Sequence, residues 1–161
     1  MFKLNVESCL KLIFIISLIS IISAYIIEYI LGHQPCNLCL IERIPYGLSI
    51  MITMAIFLIR KNQKFLVMLL ILTFVFSFAI SFYHFGIEQG FFQESSVCGV
   101  KSSTEIVTKE DLLKQLSEKP ISCKDVTFRI FGLSLTSINI VISLLFITTL
   151  LKIFKKYEKN K

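Results

Sequence analysis

Five cysteines could carry chemistry in this chain. Two of them form a Cys-x-x-Cys pair in the stretch Gln34-Pro35-Cys36-Asn37-Leu38-Cys39-Leu40-Ile41-Glu42-Arg43. Cys98 and Cys123 make a second, wider pair, and Cys9 stands alone. Thiols in such sets exchange electrons, bind a soft metal or staple loops. As a staple, a bridge closing a loop of the Cys98 to Cys123 size contributes roughly 3–4 kcal/mol in the chain-entropy model. A Cys-x-x-Cys bridge closes too small a ring to restrain much. As a four-cysteine zinc site, the set has a second pair without the tight spacing, and an oxidising compartment works against keeping four thiols reduced. As a redox centre, the tight pair has a lowered thiolate pKa and exchanges readily. Spacing alone favours the redox reading and leaves all three open.

The neighbours of the first pair strengthen the redox reading. Pro35 presets the backbone for a helix start, and a helix N-terminus brings partial positive charge and free amide hydrogens to the sulfurs. Arg43 follows Cys39 by four residues and Cys36 by seven, so the three share one helical face. A cation there stabilises a thiolate, grips a polar head group, or simply snorkels to lipid phosphate. Pro45 removes the hydrogen bond to the Ile41 carbonyl, which marks a kink or a late helix start.

The elements that must hold these residues are hydrophobic. Of 161 residues, 55% are hydrophobic and 17% charged, with a mean hydropathy of +0.76. That composition predicts an integral membrane protein. Four segments, approximately 12–31, 40–59, 65–83 and 131–154, reach the roughly 20 apolar residues a helical span needs. The first is too long for a signal-peptide core and no small-x-small cleavage site follows it, so it is expected to be retained. The fold class expected is an all-α four-helix transmembrane bundle forming one domain over 1–161. The net charge of +6 comes from cations beside the spans: Arg60, Lys61 and Lys64 in one gap, and Lys152, Lys155, Lys156, Lys159 and Lys161 after the last span. Cytoplasmic anchors are distributed in this way, and no basic soluble face is left for nucleic acid.

Both basic regions fall on one side of a four-span bundle. Both termini are therefore expected in the cytoplasm, with loops 32–39 and 84–130 outside. Cys36, Cys39, Cys98 and Cys123 then face an oxidising compartment, while Cys9 lies at the cytoplasmic end of the first span and is given no role. Within the long loop, Thr108 reads as an N-cap, with Val107 and Leu112 as a hydrophobic staple. The short amphipathic helix it starts, 109–118, stops before Pro120. Its Leu112, Leu113 and Leu116 would rest on the membrane surface, as a spacer or a docking element. The segment 91–103 has no convincing regular structure and carries Cys98 where a soluble partner could reach it.

Four spans, Pro-Cys-x-x-Cys opening the second, Glu42-Arg43 after it and a second pair in the last external loop resemble the disulfide-bond formation protein B (DsbB) family. Tyr83-His84-Phe85-Gly86-Ile87-Glu88, Phe131-Gly132-Leu133-Ser134-Leu135 and Asn139 are similar to family stretches as well. The resemblance covers nearly the whole chain. It implies a multi-pass protein of the bacterial inner membrane with its redox loops in the periplasm. Cys98 and Cys123 would form the disulfide attacked by a reduced DsbA-like thioredoxin-fold oxidant, with Cys98 making the mixed disulfide. Cys36 would exchange with Cys123, Cys39 would be the thiolate facing a membrane quinone, and Arg43 would lie against the ring oxygens. His84 is a second candidate for that pocket, or an interfacial histidine beside Tyr83. Glu28 and Glu42 are left as interfacial carboxylates, and His33 and Gln34 as loop lining.

A strong soluble oxidant can be regenerated only by a stronger acceptor. No flavin, haem or nucleotide motif is visible, so ubiquinone or menaquinone is the cofactor implied. The chain departs from the family in having no Trp, with Ile138 where members commonly carry one. Two alternatives stand beside this reading. One is the quinone-linked vitamin K epoxide reductase family, whose redox pair closes the last span instead of opening the second. The other is a non-enzymatic membrane protein with stapled or zinc-bound loops.

Overall fold

Without water to satisfy amides, a chain crossing hydrocarbon must close its backbone hydrogen bonds within each segment. The computed structural model meets this demand with helices. It describes residues 6–59, 62–93, 98, 123–124, 129–130 and 132–159. Four long helices, α1 (Val6–Tyr25), α2 (Asn37–Leu58), α3 (Gln63–Glu88) and α4 (Leu135–Lys159), follow one another, and a π-helical turn, Ile26–Ile30, extends α1. All four are long and apolar enough to cross a membrane. The chain is a multi-pass membrane protein. The expected loop helix over 109–118 lies outside the described residues.

Three boundaries differ from the expected ones, each for a local reason. α2 starts at Asn37 instead of residue 40, because Cys36 is its N-cap and its Sγ accepts the Cys39 N–H at 3.3 Å. The helix then runs unbroken through Pro45. α3 continues past residue 83 to Glu88 and is closed by Gly90, whose φ of +78° suits the left-handed turn that ends a helix. This extension carries His84 and Glu88 inside the helix. α4 begins at Leu135 instead of residue 131, within a fold that is otherwise all-helical as expected. Arg129–Ile130 and Leu133–Ser134 form a small antiparallel pair, turned with Gly132 at a φ of +84°. Ser134 then caps α4, its Oγ accepting the Ser137 N–H at 3.2 Å.

α3 packs between α2 and α4, and α1 lies chiefly on α2. Ile52 and Ile56 of α2, Val67, Leu70 and Phe74 of α3, and Phe146, Leu150 and Ile153 of α4 form the main core with Leu10 and Ile13 of α1. Phe74 meets Phe146 edge-on with ring centroids 4.7 Å apart. Between the helices sit small hydroxyls, which allow close approach and bond across the seams. Ser49 donates to Ser17 at 2.9 Å and Ser143 to Ser77 at 3.2 Å. Outward residues such as Met51, Leu58, Leu72 and Leu145 are exposed, as a lipid-facing surface requires.

The two ends of the bundle differ in chemistry. At one end Lys64 lies over the Phe154 ring and Tyr157 donates to Gln63. The opposite end gathers the π-helical turn, the start of α2, the end of α3 and the start of α4, and with them Cys36, Cys39, Cys98 and Cys123 and many polar side chains that meet across the bundle.

Candidate functional site

Because Cys36 caps α2 and Cys39 sits one turn on, their sulfurs converge. The Sγ atoms are 2.7 Å apart. Two ligands of a tetrahedral zinc would stand about 3.8 Å apart, so this spacing suits a sulfur–sulfur bond better than a shared metal. Cys98 and Cys123 are joined to each other as a disulfide, which removes two ligands from the four-cysteine zinc reading. Cys36, Cys98, Cys123, Leu38 and Ile87 pack as one buried cluster with Cys39, Ile41 and Tyr83 against it. All four site cysteines are therefore gathered at one end of the bundle. Cys9 is packed against the main core instead.

Cys36 is held as an acid. The hydrogen bond from Cys39, aided by the contact with His84 and by the Cys39 N–H, outweighs the opposing effect of burial and pulls its thiol down to about 5. The thiolate, which is the nucleophile, is thus present at neutral pH. Alkylation of Cys36 in the reduced protein is expected to hold a nearly constant rate from neutral pH down to about 5. Below that the sulfur takes up its proton, and the rate falls about tenfold per pH unit. Peptide mapping after timed iodoacetamide pulses measures this. A midpoint in the ordinary thiol range would show that the hydrogen bonds do not act on the sulfur.

Behind Cys36 lies His84, only 2% exposed. Its Nε2 is 3.6 Å from the Cys36 sulfur, and its Nδ1 is 2.9 Å from Glu42 Oε1 and 3.3 Å from the Thr136 hydroxyl. Thr136 gives its own hydrogen to Glu88 Oε1 at 2.6 Å, so toward His84 it can only accept. The hydrogen between them belongs to Nδ1. Glu42 Oε2 in turn accepts from Asn139 Nδ2 at 3.1 Å. Asn139 is fixed by Tyr46, which donates to its Oδ1, and gives a further hydrogen bond to Ser81 at 2.7 Å. Among the described residues Glu88 Oε2, which is buried, has no hydrogen-bond partner.

Arg43 occupies a different quarter. Successive residues of a helix are rotated by about 100°, so Glu42 turns toward α3 and α4 while Arg43 turns toward α1. There it pairs with Glu28 on the π-helical turn and lies over the Tyr25 ring, 5.2 Å from its centroid. π-turns of this kind recur at functional positions. Between α1, α2 and α4 opens a cavity of about 300 Å³. Cys39, Glu42, Arg43, Tyr46 and Asn139 supply its polar wall, and Ile19, Ile27, Ile138 and Ile142 much of its apolar wall. Cys36 and His84 are not among its lining residues.

The expected site residues thus fall into two groups. Cys36 lies with Cys98, Cys123 and His84, while Cys39 and Arg43 line the cavity together with His33 and Gln34. Sequence reasoning missed the partners Glu28, Glu42, Thr136 and Glu88. For Glu28 a signal existed, since a carboxylate within an apolar span is by default a functional residue. The others depend on contacts between helices that spacing along the chain does not encode.

Fold and site together define a four-helix membrane protein built around two thiol pairs. The chain matches the family described as Disulfide bond formation protein DsbB over residues 7–153. It belongs to the DsbB family and is a membrane thiol–disulfide oxidoreductase. It is also 33% identical over 131 residues to "Uncharacterized protein RP370" of Rickettsia prowazekii (strain Madrid E), covering 80% of this chain and 76% of that one.

Proposed function

We propose that this chain reoxidises a reduced, DsbA-like thioredoxin-fold protein and delivers the electrons to a membrane quinone, ubiquinone or menaquinone. The observation that carries the reading is the split within the tight pair: Cys36 packs with the Cys98–Cys123 disulfide, while Cys39 lines the cavity beside Arg43. One sulfur faces the loop pair and the other faces a separate compartment, as a relay between two partners requires.

The residues around the cavity fit a quinone. Apolar isoleucine walls suit its ring and tail, the Arg43 guanidinium suits a ring oxygen, and the volume is at the small end of ligand sites. When bound, such a group takes up two electrons and two protons. The protein's own residues would do the rest. A partner thiolate attacks Cys98 and releases Cys123, and Cys123 then attacks Cys36 of the oxidised tight pair. That exchange frees Cys39 as the thiolate at the cavity wall while Cys36 is engaged with the loop. The partner's second thiol then releases Cys98, which attacks Cys123, restores the loop disulfide and frees Cys36. Arg43, held by Glu28, keeps positive charge beside the Cys39 sulfur.

The orientation belongs to the same proposal. Lys64 and the lysine-rich end of α4 support cytoplasmic termini, and the thiol end would then face the periplasm of a bacterial inner membrane. The test is anaerobic mixing of the purified protein with a reduced thioredoxin-fold oxidant and excess quinone. Quinol is expected to form one-for-one with the partner's disulfide. Oxidation of the partner that is unaffected by quinone would sink the reading.

A further inference from the structure

Forming a disulfide from the Cys36 thiolate and the Cys39 thiol releases two electrons and two protons in all. One proton comes from Cys39 and one from the group that holds the proton Cys36 has given up. Under the function proposed above, on which this inference rests, a quinone-class acceptor in the cavity takes all four. The Cys39 sulfur lines the cavity, so its proton has a direct path. The Cys36 sulfur does not: the residue is 7% exposed, and its environment is the cysteine cluster. A second path is needed, and the hydrogen-bond pattern supplies one.

We propose that the Cys36 proton leaves through His84 and Glu42 to the cavity. His84 Nε2, 3.6 Å from the sulfur, holds the proton that Cys36 gives up as it becomes a thiolate, and as the disulfide forms the Nδ1 hydrogen passes over 2.9 Å to Glu42 Oε1. Glu42 spans the gap, because the same side chain that bonds His84 also lines the cavity. The bonds that break are S–H on Cys39 and N–H on His84, and the bond that forms is S–S between the Cys36 thiolate and Cys39. The electron pair leaves with the acceptor, and the proton follows by imidazole and carboxylate. His84 touches the reacting sulfur and is catalytic in this scheme. Thr136 and Asn139 are positioning residues: Thr136 accepts toward Nδ1 because its hydrogen is committed to Glu88, and Asn139 steadies the far oxygen of Glu42.

The groups facing His84 are consistent with a conduit. From the start of α2 come Cys36 and Glu42, from its own helix Glu88, with Oε1 at 3.9 Å from Nε2, and from α4 the Thr136 hydroxyl. Arg43, the nearest cation in sequence to Glu42, is turned away to Glu28. Glu42 therefore keeps its acceptor capacity for His84.

The experiment uses the full-length protein with His84→Phe and Glu42→Gln. Two readouts are taken: thiolate absorbance of the reduced, quinone-free protein against pH, and single-turnover oxidation of the reduced pair by a short-chain quinone against pH in H2O and D2O. In the wild type the thiolate midpoint is expected at about 5, and turnover is expected to be nearly flat from neutral pH down to about that midpoint. His84→Phe is expected to raise the midpoint and to slow turnover about a hundredfold at neutral pH, with a rate that climbs with pH. Glu42→Gln, nearly isosteric, is expected to leave the midpoint close to wild type. It should nonetheless slow turnover about tenfold and enlarge the solvent isotope effect.

Wild-type turnover with both variants matching its rate and pH profile would overturn the conduit while leaving the proposed function intact. So would a midpoint shift in His84→Phe without any isotope or pH effect in Glu42→Gln, which would make His84 a thiolate stabiliser only. If the wild type itself does not respond to quinone, the proposed function fails and the conduit with it. Should His84→Phe not fold, Glu42→Gln alone decides.

Discussion

Serine in place of Cys36 or Cys39 is expected to lower quinone-dependent oxidation of a reduced thioredoxin-fold partner by at least about a thousandfold, because covalent relays fail as units. The two variants should stall at different points. In Cys36→Ser the Cys98–Cys123 disulfide can be reduced once by the partner but has no sulfur to receive its electrons, so loop dithiol accumulates. In Cys39→Ser the Cys36 thiolate survives, still hydrogen-bonded by His84 and packed against the loop pair. It can attack that pair, and a Cys36–Cys123 bridge is expected to be trapped. Mass spectrometry of protease fragments under non-reducing conditions distinguishes the two species. Near-normal turnover in either variant would show that electrons bypass the tight pair and that the relay is wrongly drawn.

These outcomes depend on features of unequal legibility in the amino-acid sequence. The four spans could be read directly, because a bilayer imposes a minimum apolar length on each. Their ends could not. Hydropathy fades where α2 and α3 reach the polar end of the bundle, yet the helices persist there because side chains satisfy the terminal groups. The Cys36 sulfur takes up a free amide of α2, and the extra turn of α3 places His84 against Cys36, Glu42 and Thr136. The start of α4 was misjudged for the complementary reason. Phe131, Leu133 and Leu135 are apolar enough to continue a span, but Gly132 turns the backbone and Ser134 caps the helix only afterwards.

The candidate site was half legible in the same sense. The cysteines and Arg43 announce themselves by type and spacing. Glu42 does not, since a carboxylate beside an arginine reads as an ordinary interfacial pair. Only the rotation between adjacent helical positions separates them, sending Arg43 to Glu28 and Glu42 to His84 and Asn139. That assignment depends on which helices flank α2 on each side, a three-dimensional fact that spacing within α2 does not contain.

Replacement of Arg43 by leucine is expected to raise the KM for a short-chain quinone about tenfold to a hundredfold while lowering kcat much less, since a hydrogen bond to a charged group contributes about 1.5–3 kcal/mol. The effect follows from how the guanidinium is held. Glu28 fixes it from one side and the Tyr25 ring lies beneath it, so it reaches the cavity wall already oriented, and little rotamer freedom remains to be lost on binding. Lysine should not restore the site, because an ammonium cannot engage Glu28 and a ring oxygen with separate arms of one planar fork. Glu28→Gln is expected to reproduce part of the KM effect with Arg43 still in place, since the cation loses its anchor but keeps its charge. In Arg43→Leu the Glu28 carboxylate, about one-fifth exposed, loses its partner, and a modest fall in melting temperature should accompany the kinetic change. The KM measurement separates a binding role from snorkelling: an arginine that merely reaches lipid phosphate would leave KM unchanged in all three variants.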